Sequence, residues 1–279
     1  MIRHARLMFA VVAALLVLAA VALAAGSRTI TQTARSGHVK ASFTYTTTAK
    51  SGLYYTSARL TIVRDGVTGY TAAVVDPGCG AGCQPQWPGT KGHSVLAVDI
   101  NHTGEPNVIL EVNSGGNQCC ESVQVYSYSA ASGAYIEVQK TLPDLGDALK
   151  ELSPGGDYRF VGTDGNFVGA LTSVAGSGAP IQIYGLVNGA LVDVTRTYPS
   201  MIAKDAAKWL KLFKGHKSGI GGLVAPWAAD EELLGKNSLV QSTLHSELKA
   251  GDLNGNLELN GAKYITALNK LLVQLGYEK

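Results

Sequence analysis

The chain has 279 residues, of which 46% are hydrophobic and 16% charged, and it contains 33 glycines. Apolar content at that level excludes global disorder. Lys and Arg number 23 against 21 Asp and Glu, and two of the cations, Arg3 and Arg6, lie in the first 24 residues. The remainder is neutral, so net charge gives it no reason to seek nucleic acid or anionic lipid.

Residues 1–24 read as a signal peptide. Arg3, His4 and Arg6 form a basic start, residues 7–24 are apolar, and Ala22-Leu23-Ala24 supplies an A-x-A cleavage pattern before Ala25. The apolar run also reaches the lower edge of bilayer-spanning length, so an uncleaved N-terminal anchor is the alternative. No later stretch is long and apolar enough to span a membrane. Either reading exports the rest of the chain, to the extracellular medium or the cell surface.

Residues 38–48 are β-branched and aromatic and predict a strand. Residues 57–64 and 67–75 flank Asp65-Gly66, a strong hairpin signal. Residues 76–93 are a Gly/Pro-rich loop that carries Cys79 and Cys83. Strands at 95–100 and 108–112 surround a polar loop, and 123–128 with 135–139 form a second hairpin. A third hairpin, 181–187 with 191–195, turns at Asn188-Gly189. The last two hairpins are similar: Val123-Gln124-Val125-Tyr126 matches Ile181-Gln182-Ile183-Tyr184. Repeated hairpins predict sheet units of the kind that make propeller blades, though too few to close a ring.

After Tyr198 the apolar period becomes helical. Helices are predicted from Pro199 through Phe213, over 223–234, over 238–249 and over 262–275, the last ended by Gly276. The fold class is therefore α+β, with β-rich, blade-like repeats forming an incomplete propeller-like set, followed by a C-terminal helical region. The expected organisation is a signal peptide at 1–24, a β-rich repeat domain at 28–196, and a helical region at 197–279 packed on it.

Four cysteines, Cys79, Cys83, Cys119 and Cys120, in an exported chain predict two disulfides. Three connectivities exist. The strain of a vicinal 119–120 ring favours a crossed pairing with Cys79 and Cys83. A zinc or redox role is disfavoured, because adjacent cysteines in a strand point apart and no C-x-x-C spacing is present. Nucleophile elbows, zinc-protease helices, P-loops and dinucleotide loops are all absent from the sequence. The histidines after residue 24 are isolated and read as surface residues, and Trp87, Trp209 and Trp227 read as core or lid residues.

Asp99, Asn101 and Thr103 stand at positions 1, 3 and 5 of a loop with Gly104, the outline of a short calcium loop. One certain carboxylate makes such a site weak or vestigial, so no cofactor other than weakly held calcium is expected. A second imitation, Asp252-Leu253-Asn254-Gly255-Asn256, lacks the glycine and glutamate an EF-hand needs further on.

The run Asp99-Ile100-Asn101-His102-Thr103-Gly104-Glu105-Pro106-Asn107, followed by Gly115-Gly116-Asn117-Gln118-Cys119-Cys120, resembles secreted bacterial proteins with VCBS or FG-GAP, integrin-α-like repeats. Ile181-Gln182-Ile183-Tyr184 and Ala228-Ala229-Asp230 extend the resemblance across roughly residues 90–277. The resemblance implies blade loops whose carboxylates hold Ca²⁺. Here Asn101 and Thr103 replace two of those acids, and the corresponding loop at 152–160 has lost nearly all of them, which makes this a degenerate member. Together these readings predict an exported, non-enzymatic binding module for an unknown extracellular or cell-surface ligand. Two rivals are a secreted hydrolase without a recognisable motif, drawing on Asp99, Glu105, Glu111 or Asp157, and a structural envelope protein.

Overall fold

The computed structural model describes residues 27–48, 55–75, 83–85, 93–116, 119–142, 148–154, 156–216, 219–253 and 259–278. The signal-peptide region, Cys79, Trp87 and residues 254–258 of the EF-hand-like loop lie outside them.

Among the described residues, three antiparallel sheets precede four α-helices. The first sheet is a meander of β1 (Ser27–Ser36), β2 (Val39–Thr48), β3 (Tyr55–Arg64) and β4 (Val67–Ala73), in that order. Strands β3 and β4 meet through Asp65 and Gly66, whose φ values of 51° and 79° are those of a type I′ turn. The second sheet runs from β5 (Gln84–Pro85) through β7 (Asn107–Gly116) and β8 (Cys119–Ser129) to β9 (Ala134–Leu142), with β6 (Val95–Val98) also paired to β7. The third is β10 (Ala148–Glu151), β11 (Tyr158–Thr163), β12 (Ile181–Val187) and β13 (Ala190–Asp193). The two sequence-similar hairpins are thus the last two strands of successive sheets, as blade-like units require. The helices are α1 (Pro199–Lys214), α2 (Gly221–Leu233), α3 (Asn237–Ala250) and α4 (Ala262–Gln274), close to the predicted spans.

The chain forms two compact units. Of the described residues, the first takes those up to 98, with 105–116 and 122–137; the second takes 99–104, 119–121 and those from 138 onward. In the first unit, alternation along β2 and β3 buries Val39, Ala41, Phe43, Leu60 and Ile62 on one face. Val108, Leu110, Val112 and Tyr126 are among the residues that join that core. Each fully buried aliphatic or aromatic side chain contributes about 1.5–3 kcal/mol. Cys83 is buried there and disulfide-bonded; the side chains of Cys119 and Cys120 lie outside the described residues.

In the second unit α2 is the central helix, with Val224, Trp227, Ala228 and Ala229 among its buried residues. Phe213 of α1, Val240 and Leu244 of α3, and Tyr264, Leu268 and Leu272 of α4 share one core with it. The closest approach falls at Gly222, where a Cβ would stand 1.7 Å from the Gly176 carbonyl oxygen. Only glycine fits.

Four strands go beyond the expected set. Strand β5 falls within the stretch expected as a Gly/Pro-rich loop. Strand β1 lies directly after the apolar leader. Strands β10 and β11 frame residues 152–157, so the segment expected as a second calcium-type loop is a hairpin turn: the Leu152 N–H donates to the Asp157 carbonyl at 2.8 Å.

Candidate functional site

The Asp99 loop is built as a hydrogen-bonded turn. One Asp99 carboxylate oxygen accepts the Thr103 N–H at 3.1 Å and the other accepts the Gly104 N–H at 2.8 Å. The Thr103 hydroxyl donates to the Asn101 side-chain oxygen at 3.1 Å. His102 and Gly104 take left-handed φ values of 56° and 80°, which lets the chain fold back over the carboxylate. The three expected ligands are therefore gathered in one loop, and their mutual bonds hold it. Among the described residues no group of three or more His, Cys, Asp or Glu side chains is placed to share a metal ion.

The other acids considered from the sequence are tied down separately. Glu105 is gripped by Arg64 through two 3.0 Å bonds and by His38 at 3.1 Å, while Arg64 also lies 4.3 Å over the Tyr128 ring. Burial pushes the Glu105 carboxyl upward, but the Arg64 and His38 hydrogen bonds outweigh it and hold the group below the usual carboxylate range. Asp157 pairs with Arg159 at 2.8 Å and accepts the Tyr198 hydroxyl at 3.1 Å. Glu111 is buried within β7. Of the histidines, His216 and His245 bond back to the carbonyls of Leu212 and Gln241, four residues earlier.

Sequence reading missed two features of the second unit. The first is Asp230, which is 0% exposed on α2. Burial, reinforced by the neighbouring Asp205 carboxyl of α1, pushes its pKa up to about 10, so it is neutral at ordinary pH. Asp205 in turn accepts the Trp209 indole N–H at 2.8 Å and pairs with Lys208. These acids sit in helical packing and do not line the cavity described next. An acid inside an apolar helical run, Ala228-Ala229-Asp230, was the available signal.

The second feature is a cavity of about 360 Å³ between the end of the third sheet, the turn at Thr195–Thr197, Leu233 of α2 and the residues after α4. Its polar wall is held by its own bonds. The Gln182 amide donates to Asp193 at 3.1 Å, and the Thr195 N–H donates to the same carboxylate at 2.8 Å. The Tyr277 hydroxyl donates to Asp164 at 2.9 Å, and the Asn166 N–H donates to the other oxygen of that carboxylate at 3.0 Å. Burial, then Asp164, drives the Tyr277 phenol far up, which keeps it a neutral donor. The Arg196 guanidinium donates to the Gly276 and Tyr277 carbonyls at 2.6 and 3.2 Å, a cation at the end of α4 where the helix dipole favours one. Among the described residues two acids and one cation line the space, with no His, Lys or Cys.

No family model matches the chain, and no solved structure matches it. The chain is similar to a protein of Synechocystis sp. described as a probable thylakoid lumen protein, at 27% identity over 199 residues. That alignment covers 62% of this chain and 56% of the relative, so the chain spans little more than half of that protein's length.

Proposed function

We propose that this protein is an exported, non-enzymatic binding protein whose second unit takes a small polar ligand beside Arg196. The observation that carries the binding reading is the self-supported cavity wall of Gln182, Asp193, Thr195, Asp164 and Tyr277. Fixed donors and acceptors around a partly apolar space recognise a small molecule at low ordering cost. With Asp164 and Asp193 against Arg196, the lining favours a donor-rich or cationic ligand over an anion. The hydrolase reading is weakened by Glu105 and Asp157, which are consumed by local arginine contacts. Export is supported by the basic start, apolar run and A-x-A pattern of residues 1–24, and by the relative's description as a protein of the thylakoid lumen, a compartment outside the cytoplasm.

Thermal melts with a panel of small amines, sugars and carboxylates, run on the natural chain and on Leu233→Trp, test the binding reading. The expected result is an amine or polyol that raises the melting temperature of the natural chain and leaves the filled-cavity variant unmoved. A panel without effect, or equal shifts in both proteins, would overturn it. Fractionation of producing cells tests export, with the chain expected outside the cytoplasm.

A further inference from the structure

We propose that the solvent face of the first sheet is a docking surface for an acidic polysaccharide. This inference concerns the first unit and is independent of the cavity. Strand β1 alternates, so Thr29, Thr31 and Thr33 are exposed while Ile30, Gln32 and Ala34 turn inward. The register places Thr33 opposite Ser42, Ser42 opposite Thr61, and Thr61 opposite Thr71. One row of hydroxyls therefore crosses all four strands. Thr31 and Thr44 form the neighbouring row, which continues to Arg59. Strand spacing of about 4.8 Å and a same-face repeat of about 6.7 Å make this a regular lattice. Bonds between hydroxyls, Thr31 to Thr44 at 3.0 Å and Thr61 to Thr71 at 3.1 Å, hold the rotamers.

Charge selects the partner. Arg35, Lys40 and Arg59 share this face, and the four strands contain no Asp or Glu at all. In a chain that is neutral beyond its leader, that is a local concentration of positive charge. At the β1 edge Thr33 and Arg35 also line a groove of about 230 Å³ with His93, whose remaining wall is the apolar Ala34, Val95, Leu96 and Ala97. Hydroxyls both donate and accept, as sugar hydroxyls do, and the cations suit regularly spaced carboxylates. Three cations spread among so many hydroxyls are too sparse for a phosphodiester backbone, whose affinity rests on dense phosphate neutralisation. Among the described residues the face carries no aromatic ring, so they offer neither a stacking platform for neutral sugar nor a wedge for lipid. A carboxylated glycan chain lying across the strands satisfies both the hydroxyl rows and the cations.

Affinity electrophoresis of the intact chain tests this, in native gels containing polygalacturonate, dextran or duplex DNA. The expected result is retardation by polygalacturonate alone. The exposed triple variant Arg35→Ala/Lys40→Ala/Arg59→Ala should weaken it about tenfold. The variant Thr33→Val/Thr61→Val/Thr71→Val, which keeps β-branching and charge, should weaken it several-fold. Circular dichroism should show both variants folded, and Leu233→Trp should be retarded like the natural chain. Absence of retardation, equal retardation by DNA, or full retardation of the cation variant would overturn the proposal.

Discussion

The Gly178 N–H donates to the Gly222 carbonyl at 2.7 Å, a bond that proline chemistry makes available. Within α2 the donor for that carbonyl would come four residues later, from position 226, and Pro226 has no N–H. The vacant acceptor is taken by a loop instead, and the loop is drawn in so far that neither glycine has room for a Cβ: at Gly178 one would stand 2.6 Å from the Trp209 ring.

Substituting either glycine therefore forces backbone apart. Gly222→Ala is expected to cost about 3 kcal/mol or more of unfolding free energy, because the Gly176 carbonyl cannot give way as a flexible side chain could. Chemical denaturation of the variant checks it, against an exposed control such as Gly189→Asn in a turn whose φ of 77° asparagine tolerates.

Asp230 makes stability fall with rising pH. Its folded pKa, about 10, stands far above that of an unfolded carboxylate, so the folded state holds an extra proton between those values. The associated stability is fully present below the ordinary carboxylate range and is lost as pH climbs toward the folded value. Asp205 and Glu231 deepen the effect and Lys208 opposes it. Asp230→Asn should match the natural chain near pH 4 and melt several degrees higher near about pH 9.

Glu105 behaves oppositely. With its folded pKa held below the usual range, its contribution is present above the unfolded value and is lost as acid protonates it in the folded state. Glu105→Gln should lower the melting temperature at neutral pH, and the gap to the natural chain should close in strong acid. A gap that stays constant with pH would deny the carboxylate its role.

Removing calcium should matter little. The Asp99 carboxylate already accepts two backbone N–H groups, so melts in excess chelator and in millimolar Ca²⁺ should nearly coincide. Asp99→Ala should cost about 1 kcal/mol in both, through loss of the turn. A large calcium-dependent rise, abolished by that substitution, would identify a working site.

The crossed cysteine pairing predicts no reactive thiol under denaturing conditions. Peptide mapping should join Cys119 and Cys120 each to Cys79 or Cys83. Fragments carrying only 79–83 and 119–120 links would reject it.

The hairpins and helices were legible because local chemistry decides them. Asp65-Gly66 and Asn188-Gly189 adopt the paired positive φ their sequences call for, and the 3.6-residue period after Pro199 marks the helices. Strand β1 was not legible, because its inward side chains, Ile30, Gln32 and Ala34, form too weak an apolar alternation. Strands β10 and β11 were hidden by shortness, each gaining its pattern from neighbours that pair with it. The loop of Asp99, Asn101 and Thr103 was found from spacing alone. The cavity was not, since Asp164, Arg196 and Tyr277 are brought together by folding, and no local signal marks such residues.

The bond from Tyr277 to Asp164 joins residues 113 positions apart. With Tyr277 in the core of the second unit, that unit is closed by a contact of long sequence separation. Contacts of that kind form late, after the chain between them has been ordered, and slow the folding of the unit that holds them.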